Sequence, residues 1–170
     1  MSSTSSQPHH SHVSVVSTGS RGIGLEFVTQ LLQQQQNGNV IALCRTPTAA
    51  LLSLKAEYPT RLELIDNVDL ECPDSIGNAG DAVKSKFGRV DLLLNVAAIL
   101  GDGKTEGEGP ERALDKISAS WLSKSMTLNL MGHVLMTQAL YPLLIAASKQ
   151  SGSGDTTNSN SKPKVVNLSG

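Results

Sequence analysis

The sequence predicts an α/β protein with a doubly wound parallel sheet, whose five strands lie in the order 3-2-1-4-5. Short β-branched apolar runs alternate along the chain with amphipathic helical segments, a rhythm typical of βαβ units. A glycine-rich turn follows the first of these runs directly. The fourth run, RVDLLLNVA, is apolar almost throughout, as expected of a strand buried on both faces. Right-handed crossovers leave few other arrangements.

Each predicted strand is a short apolar run bounded by turn residues. The five runs are VSVVS (13–17), NVIALC (39–44), RLELID (61–66), RVDLLLNVA (89–97) and KVVNLS (164–169). Helices are predicted between them. The first follows Gly24 and ends at Asn37-Gly38, the second extends from Thr46-Pro47 to Tyr58, and the third covers 73–87. A long fourth helix is predicted over 118–147.

The length of 170 residues and an apolar content of 39% predict one folded domain over 13–170. Residues 1–12 are predicted to be a disordered Ser/His-rich tail, and 148–163 a flexible low-complexity loop. Within the long helix, we expect a bend at Pro142. The tail histidines are not joined by a cysteine or carboxylate cluster, so no metal site is predicted there.

Composition excludes several classes of function. Fourteen basic and fifteen acidic residues give a net charge of −1, which argues against nucleic-acid binding. Cys44 and Cys72 form no disulfide framework, and the first residues lack the apolar core of a secretory signal. No apolar run approaches the roughly 18 residues of a membrane span. These features predict a cytoplasmic protein with neither a nucleic-acid nor a membrane partner.

The turn STGSRGIG (17–24) separates the first strand from the first helix. Its glycines allow positive φ and close backbone approach, and the free N–H groups of the following helix suit a pyrophosphate. A plain tight turn would also explain a lone glycine-rich loop, but the strand–turn–helix setting favours phosphate binding. The P-loop pattern is excluded because no Gly-Lys-Ser/Thr follows.

The turn resembles TGxxxGxG of the short-chain dehydrogenases/reductases, with Ser17 in the place of Thr and Thr18 in that of the first Gly. The stretch SRGIGLEFVTQLL is most similar to the C-factor-like and sniffer-like carbonyl reductases. The resemblance implies that this turn binds the cofactor. The residues implied are Thr18, Ser20, Arg21, Gly22, Ile23 and Gly24. Because Thr18 departs from the pattern, we expect the first part of the loop to approach the nucleotide differently.

Four further segments resemble the family in order. Asn67-Val68 stands where the family has Asp-Val beside the adenine, and NVAA (95–98) stands where it has NNAG. The resemblance therefore implies Asn67, Val68, Asn95 and Ala97 as cofactor-binding residues. Asn129 in TLNLMG matches the helix asparagine of the catalytic set. VVNLS (165–169) matches the strand that leads to the catalytic serine. In the family's usual NxSS pattern the second serine is catalytic, and Gly170 stands in its place here. Ser169 occupies the first serine position, so the resemblance implies Ser169 as the catalytic serine.

The end of the second strand, ALCRTP, bears on the choice of cofactor. An acid at this place binds the 2′-hydroxyl of NAD(H), whereas an arginine accommodates the 2′-phosphate of NADP(H). The sequence has Arg45 and no neighbouring acid, and Arg21 could add a second guanidinium. NADP(H) is therefore favoured over NAD(H), although both arginines could instead be solvated surface residues.

The catalytic Tyr and Lys of the family are absent. Four residues after Tyr58 and Tyr141 stand Leu62 and Ile145, so no YxxxK pair exists. The resemblance implies that this pair and the family's last strands would follow Gly170. We therefore expect a C-terminally incomplete NADP(H)-dependent carbonyl reductase, inactive by itself, whose substrate is a small carbonyl or alcohol.

The alternatives are a non-catalytic dinucleotide-binding or interaction module, and a flavodoxin-like signalling domain. The signalling domain accounts for neither Asn129 nor NVAA. Substrate identity and oligomeric state are not predicted.

Overall fold

The computed structural model describes residues 11–35, 37–100, 114–151 and 162–168. The strands are β1 (Val13–Val16), β2 (Asn39–Leu43), β3 (Leu62–Ile65), β4 (Leu92–Asn95) and β5 (Lys164–Asn167). The helices are α1 (Gly22–Gln34), α2 (Ala49–Glu57), α3 (Pro73–Phe87), α4 (Ala119–Met126) and α5 (Gly132–Ser151). A 3₁₀ turn at Leu114–Lys116 precedes α4, and a π-helical turn at Thr127–Met131 joins α4 to α5.

The sheet confirms the predicted fold class. All described strand pairs are parallel, and the order is β3-β2-β1-β4-β5. In the central register Val15 lies between Ile41 on β2 and Leu93 on β4. All three of these side chains are fully buried, as expected of inner strands in a parallel sheet.

Two apolar clusters lie on opposite faces of the sheet. One cluster joins alternate strand residues such as Val15 and Ile41 to buried residues of α3 and α5. The other joins the intervening residues, such as Val16 and Val40, to α1 and α2. Since successive strand residues point to opposite faces, this alternation is the physical basis of the two-sided helix cover.

Several predicted boundaries need correction. β4 begins at Leu92 rather than at 89, because Arg89 and Asp91 form a buried ion pair before the strand. α1 begins at Gly22, three residues before its predicted start at Leu25, so the last glycines of the turn lie in its first turn. Residues 148–151, predicted to be loop, continue α5. Residues 1–10 and 152–161 lie outside the described part of the chain.

The long helix contains a π-helical turn at 127–131, which was not predicted, and Pro142, where a bend was predicted, lies within α5. The stretch Ala119–Lys149 is also long and apolar enough to cross a membrane, with a mean hydropathy of 1.5 over an 18-residue window. Core helices of soluble proteins have the same composition. Met136, Leu140 and Leu143 are buried in the cluster with α3, so we interpret α5 as a core helix.

Candidate functional site

A cleft of about 820 Å³ opens at the carboxyl ends of the strands, within the size range of small-molecule sites. Its walls are the segments that follow β1, β2, β3 and β4. Nine predicted cofactor residues line it, namely Thr18, Ser20, Arg21, Gly22, Ile23, Gly24, Arg45, Val68 and Ala97. In open α/β sheets, ligands bind at this edge, where neighbouring connections leave to opposite faces.

The turn after β1 has room only for glycine at its tightest point. A Cβ atom added to Gly24 would lie 1.9 Å from the Thr18 carbonyl oxygen, far inside any van der Waals contact. Gly22 has a φ of +55°, a value that costs side-chain-bearing residues energy. These two glycines therefore fold the turn against the start of α1.

The amino end of α1 is open toward the cleft. Arg21, the N-cap residue, makes no side-chain capping bond, and the first turn holds no acidic residue. The first N–H groups of a helix have no intrahelical partners and carry a partial positive charge. This end of α1 is thus suited to an anionic group such as a pyrophosphate.

Two arginines border the cleft from separate segments. Arg21 belongs to the glycine turn and Arg45 to the segment that follows β2, and both side chains are exposed. Within the described part of the chain, neither guanidinium has a hydrogen-bond or ion-pair partner. Cys44, which precedes Arg45, also lines the cleft, and burial raises the pKa of its thiol, with a further increase from the charge of Asp66. The thiol is thus a neutral part of the cleft lining.

The inner wall is the loop at 96–99, which side chains hold from both ends. Val96 N–H donates to Ser17 Oγ at 3.2 Å. At Ile99, the Asn129 side chain makes hydrogen bonds to both backbone groups of the residue. Its Oδ1 accepts the Ile99 N–H at 2.8 Å, and its Nδ2 donates to the Ile99 carbonyl at 2.9 Å. Asn129 lies in the π-helical turn, and it thereby fixes the loop to the long helix.

His133 is a site residue that the sequence reasoning missed. It is only 5% exposed, and its Nε2 lies 2.8 Å from the Ala97 carbonyl oxygen, so the neutral ring donates there. Burial lowers the pKa of His133, and the bond to Ala97 partly opposes this effect. A signal was available: His133 follows Asn129 by four residues, which places both side chains on one helix face.

Two predicted cofactor residues do not line the cleft. Asn95 is fully buried, and its Nδ2 donates to Thr137 Oγ1 at 3.1 Å and to Asn167 Oδ1 at 2.8 Å, joining β4 to α5 and β5. Asn67 borders a separate cavity of about 380 Å³ beside α3 and has a φ of +56°, which Asn tolerates better than most residues. Neither of these two residues therefore borders the cleft directly.

The catalytic candidates are only partly described. Asn129 lies beside the cleft, but its side-chain bonds are made to Ile99. Ser169, the predicted catalytic serine, lies outside the described residues. Neither Tyr58 nor Tyr141 lines the cleft: Tyr58 follows the last turn of α2, and Tyr141 is 59% exposed on α5. Among the described residues, the cleft therefore holds no tyrosine proton donor.

Comparison with known proteins assigns the chain to a protein family. The sequence pattern of the family described as short chain dehydrogenase matches residues 12–163. The chain belongs to the short-chain dehydrogenase family. A relative from Talaromyces stipitatus, the short-chain dehydrogenase/reductase tropE, is 28% identical over 139 residues, which cover 79% of this chain and 48% of the relative.

Solved structures of short-chain dehydrogenases have the same fold. The NADPH-bound carbonyl reductase from chicken fatty liver is 26% identical with a TM-score of 0.72, and the match covers 93% of this chain and 58% of that one. The carbonyl reductase Sniffer of Caenorhabditis elegans is 26% identical with a TM-score of 0.71, over 91% and 62%. The predicted resemblance to sniffer-like reductases is confirmed. The chain spans about half the length of such relatives.

Proposed function

We propose that the chain binds NADP(H) in the cleft and belongs to an NADP(H)-dependent oxidoreductase of the carbonyl reductase type. The observation that supports this most is that two arginines without side-chain partners in the described chain, Arg21 and Arg45, line the cleft. No acid stands in the segment CRTPT (44–48), where a 2′-hydroxyl would be bound. Positive charge in the cleft lining favours a ligand with an extra phosphate.

The residues present fit a dinucleotide. The tight turn, in which a Cβ at Gly24 would collide with the Thr18 carbonyl, supports the binding of a phosphate by this backbone. The uncapped start of α1 would hold the pyrophosphate, and Ile23, 63% exposed at this end, would give the cofactor an apolar contact. Val68 and Ala97 would form walls. When bound, the nicotinamide would supply hydride exchange with a carbonyl or alcohol carbon.

In this proposal the substrate of the whole reductase is a small-molecule carbonyl or alcohol, in line with the carbonyl reductases among its structural relatives. Ser169 would bind the substrate oxygen, and Asn129 would be the second residue of the catalytic set in this chain. The absence of a tyrosine at the described cleft favours a second candidate function for this chain alone, namely dinucleotide binding without turnover. A cytoplasmic location, compatible with two free cysteines, is part of the same proposal.

The test is the preference between dinucleotides. Arg45→Ala removes a charge-assisted phosphate contact, so we expect NADPH to bind about 10- to 150-fold more weakly and NADH to change little. The dissociation constants of both are measured by fluorescence titration of the 170-residue chain. The control is Lys84→Ala, which removes an exposed positive charge from the far end of α3. An unchanged NADPH-to-NADH ratio in Arg45→Ala would refute the assignment.

A further inference from the structure

The two arginines extend from segments that are distant in sequence, so something must set the spacing between them. Arg21 lies in the glycine turn and Arg45 follows β2. Because neither guanidinium has a side-chain partner in the described residues, their spacing depends on how the two backbone segments are joined. The affinity for a phosphate bound by both arginines would therefore depend on that connection.

Two hydrogen bonds connect the glycine turn to the end of β2 and the segment that follows it. Gly19 N–H donates to the Leu43 carbonyl at 2.9 Å, a contact between backbone groups. The second comes from a side chain: Thr48 Oγ1 donates to the carbonyl of Ser20, the residue just before Arg21, at 2.6 Å. Thr48 itself borders the cleft and is half-buried.

The Thr48 hydroxyl also begins α2. Its Oγ1 accepts the Leu51 N–H at 3.3 Å, as an N-cap does. A hydroxyl has one proton and two lone pairs, so it can accept from Leu51 and donate to Ser20 together. One side chain thereby fixes the start of α2, the segment that contains Arg45 and the turn that contains Arg21.

We infer that Thr48 is a positioning residue for the 2′-phosphate, one that sets the preference for NADP(H) by holding Arg21 and Arg45 at a fixed spacing. The inference rests on the proposed function. Loss of the hydroxyl frees the Ser20 carbonyl and lets the turn shift relative to Arg45. Phosphate recognition by two guanidinium groups depends on placement within about an ångström. NAD(H) lacks this phosphate, so its affinity depends much less on the connection between the two segments.

The experiment compares Thr48→Val, which keeps the side-chain shape and loses the hydroxyl, with Thr48→Ser, which keeps the hydroxyl. Dissociation constants for NADPH and NADH are measured on the 170-residue chain. We expect Thr48→Val to lower the NADPH-over-NADH preference about 3- to 10-fold, the range of one neutral hydrogen bond, and Thr48→Ser to keep it. A merely structural role would weaken both dinucleotides alike and leave the ratio unchanged.

The matched control is Ser118→Ala, which removes another N-cap hydroxyl, that of α4, and should leave the preference unchanged. Should Thr48→Val not fold, Thr48→Ala removes the same hydroxyl and must change the preference in the same direction. If Arg45→Ala lowers the preference and the Thr48 variants do not, the role of Thr48 is refuted while the proposed function stands. If Arg45→Ala has no effect, both are refuted.

Discussion

The shape of the cleft depends on Gly24, because only a hydrogen atom fits between its Cα and the Thr18 carbonyl. Gly24→Ala should disrupt the turn, lower the unfolding free energy and abolish NADPH binding. Gly77→Ala is the matched control, since a Cβ there meets nothing within 4 Å and alanine favours a helix by about 0.5–1 kcal/mol. Urea unfolding and NADPH titration distinguish the two. NADPH affinity equal to wild type in Gly24→Ala would contradict the assigned geometry.

His133 makes stability depend on pH. Its pKa in the folded chain is below the ordinary value of 6.5, so the unfolded chain takes up the proton more readily. The unfolding free energy should therefore have its full value above about pH 6.5 and should decrease as the pH falls below 6.5, because protonation then favours the unfolded chain. His133→Gln can still donate to Ala97 but cannot titrate, and should flatten this decrease. Urea denaturation between pH 7.5 and 5 measures it, and equal slopes in both proteins would exclude His133 as the source.

The π-helical turn is one of the elements that link the long helix to the cleft wall, through the two bonds from Asn129 to Ile99. Asn129→Ala leaves both Ile99 backbone groups without these partners, so we expect unfolding to become about 1–3 kcal/mol easier and NADPH to bind more weakly. Ser125→Ala, which removes only an acceptor of the Asn129 amide, should cost less than about 1 kcal/mol. Equal effects of the two variants would show that the bonds to Ile99 are unimportant.

The elements that sequence predicted well are those marked by alternation and by turn residues. Strand order and the cleft-forming turn followed from the βαβ rhythm and from STGSRGIG. Strand ends did not, since Val96 and Ala97 are as apolar as the strand before them but leave the sheet to form the cleft wall. The π-helical turn was also missed, because one extra residue per turn leaves the apolar pattern nearly helical. His133 looked like an isolated polar residue until the fold placed it beside Ala97.

At the scale of the whole molecule, strand β5 exposes apolar surface at the edge of the described sheet. β5 has a neighbour on one side only in the described sheet, and Val165 and Val166 are 39% and 41% exposed. An apolar edge strand can pair with another chain, so we expect the 170-residue chain to self-associate in size-exclusion chromatography. Val165→Lys should reduce this association by placing charge on the edge. A monodisperse wild-type monomer would contradict the expectation.

The whole chain should also lack carbonyl reductase activity, because general acid–base catalysis contributes roughly 10²- to 10⁴-fold and no tyrosine lines the described cleft. NADPH oxidation with a panel of small aldehydes and ketones checks this. Turnover well above the uncatalysed rate would mean that Tyr58, Tyr141 or Ser169 acts in a role not assigned to it.

Binding itself is more fundamental than turnover, and it can be measured on the unaltered chain. Titration of the 170-residue protein in dilute solution with NADPH and, separately, with NADH compares two ligands that differ only in the 2′-phosphate. We expect saturable binding of one NADPH per chain, with NADH about 10- to 150-fold weaker, the range of one charge-assisted contact. Equal affinities would contradict the role of Arg21 and Arg45, and no binding of either dinucleotide would contradict the assignment of the cleft.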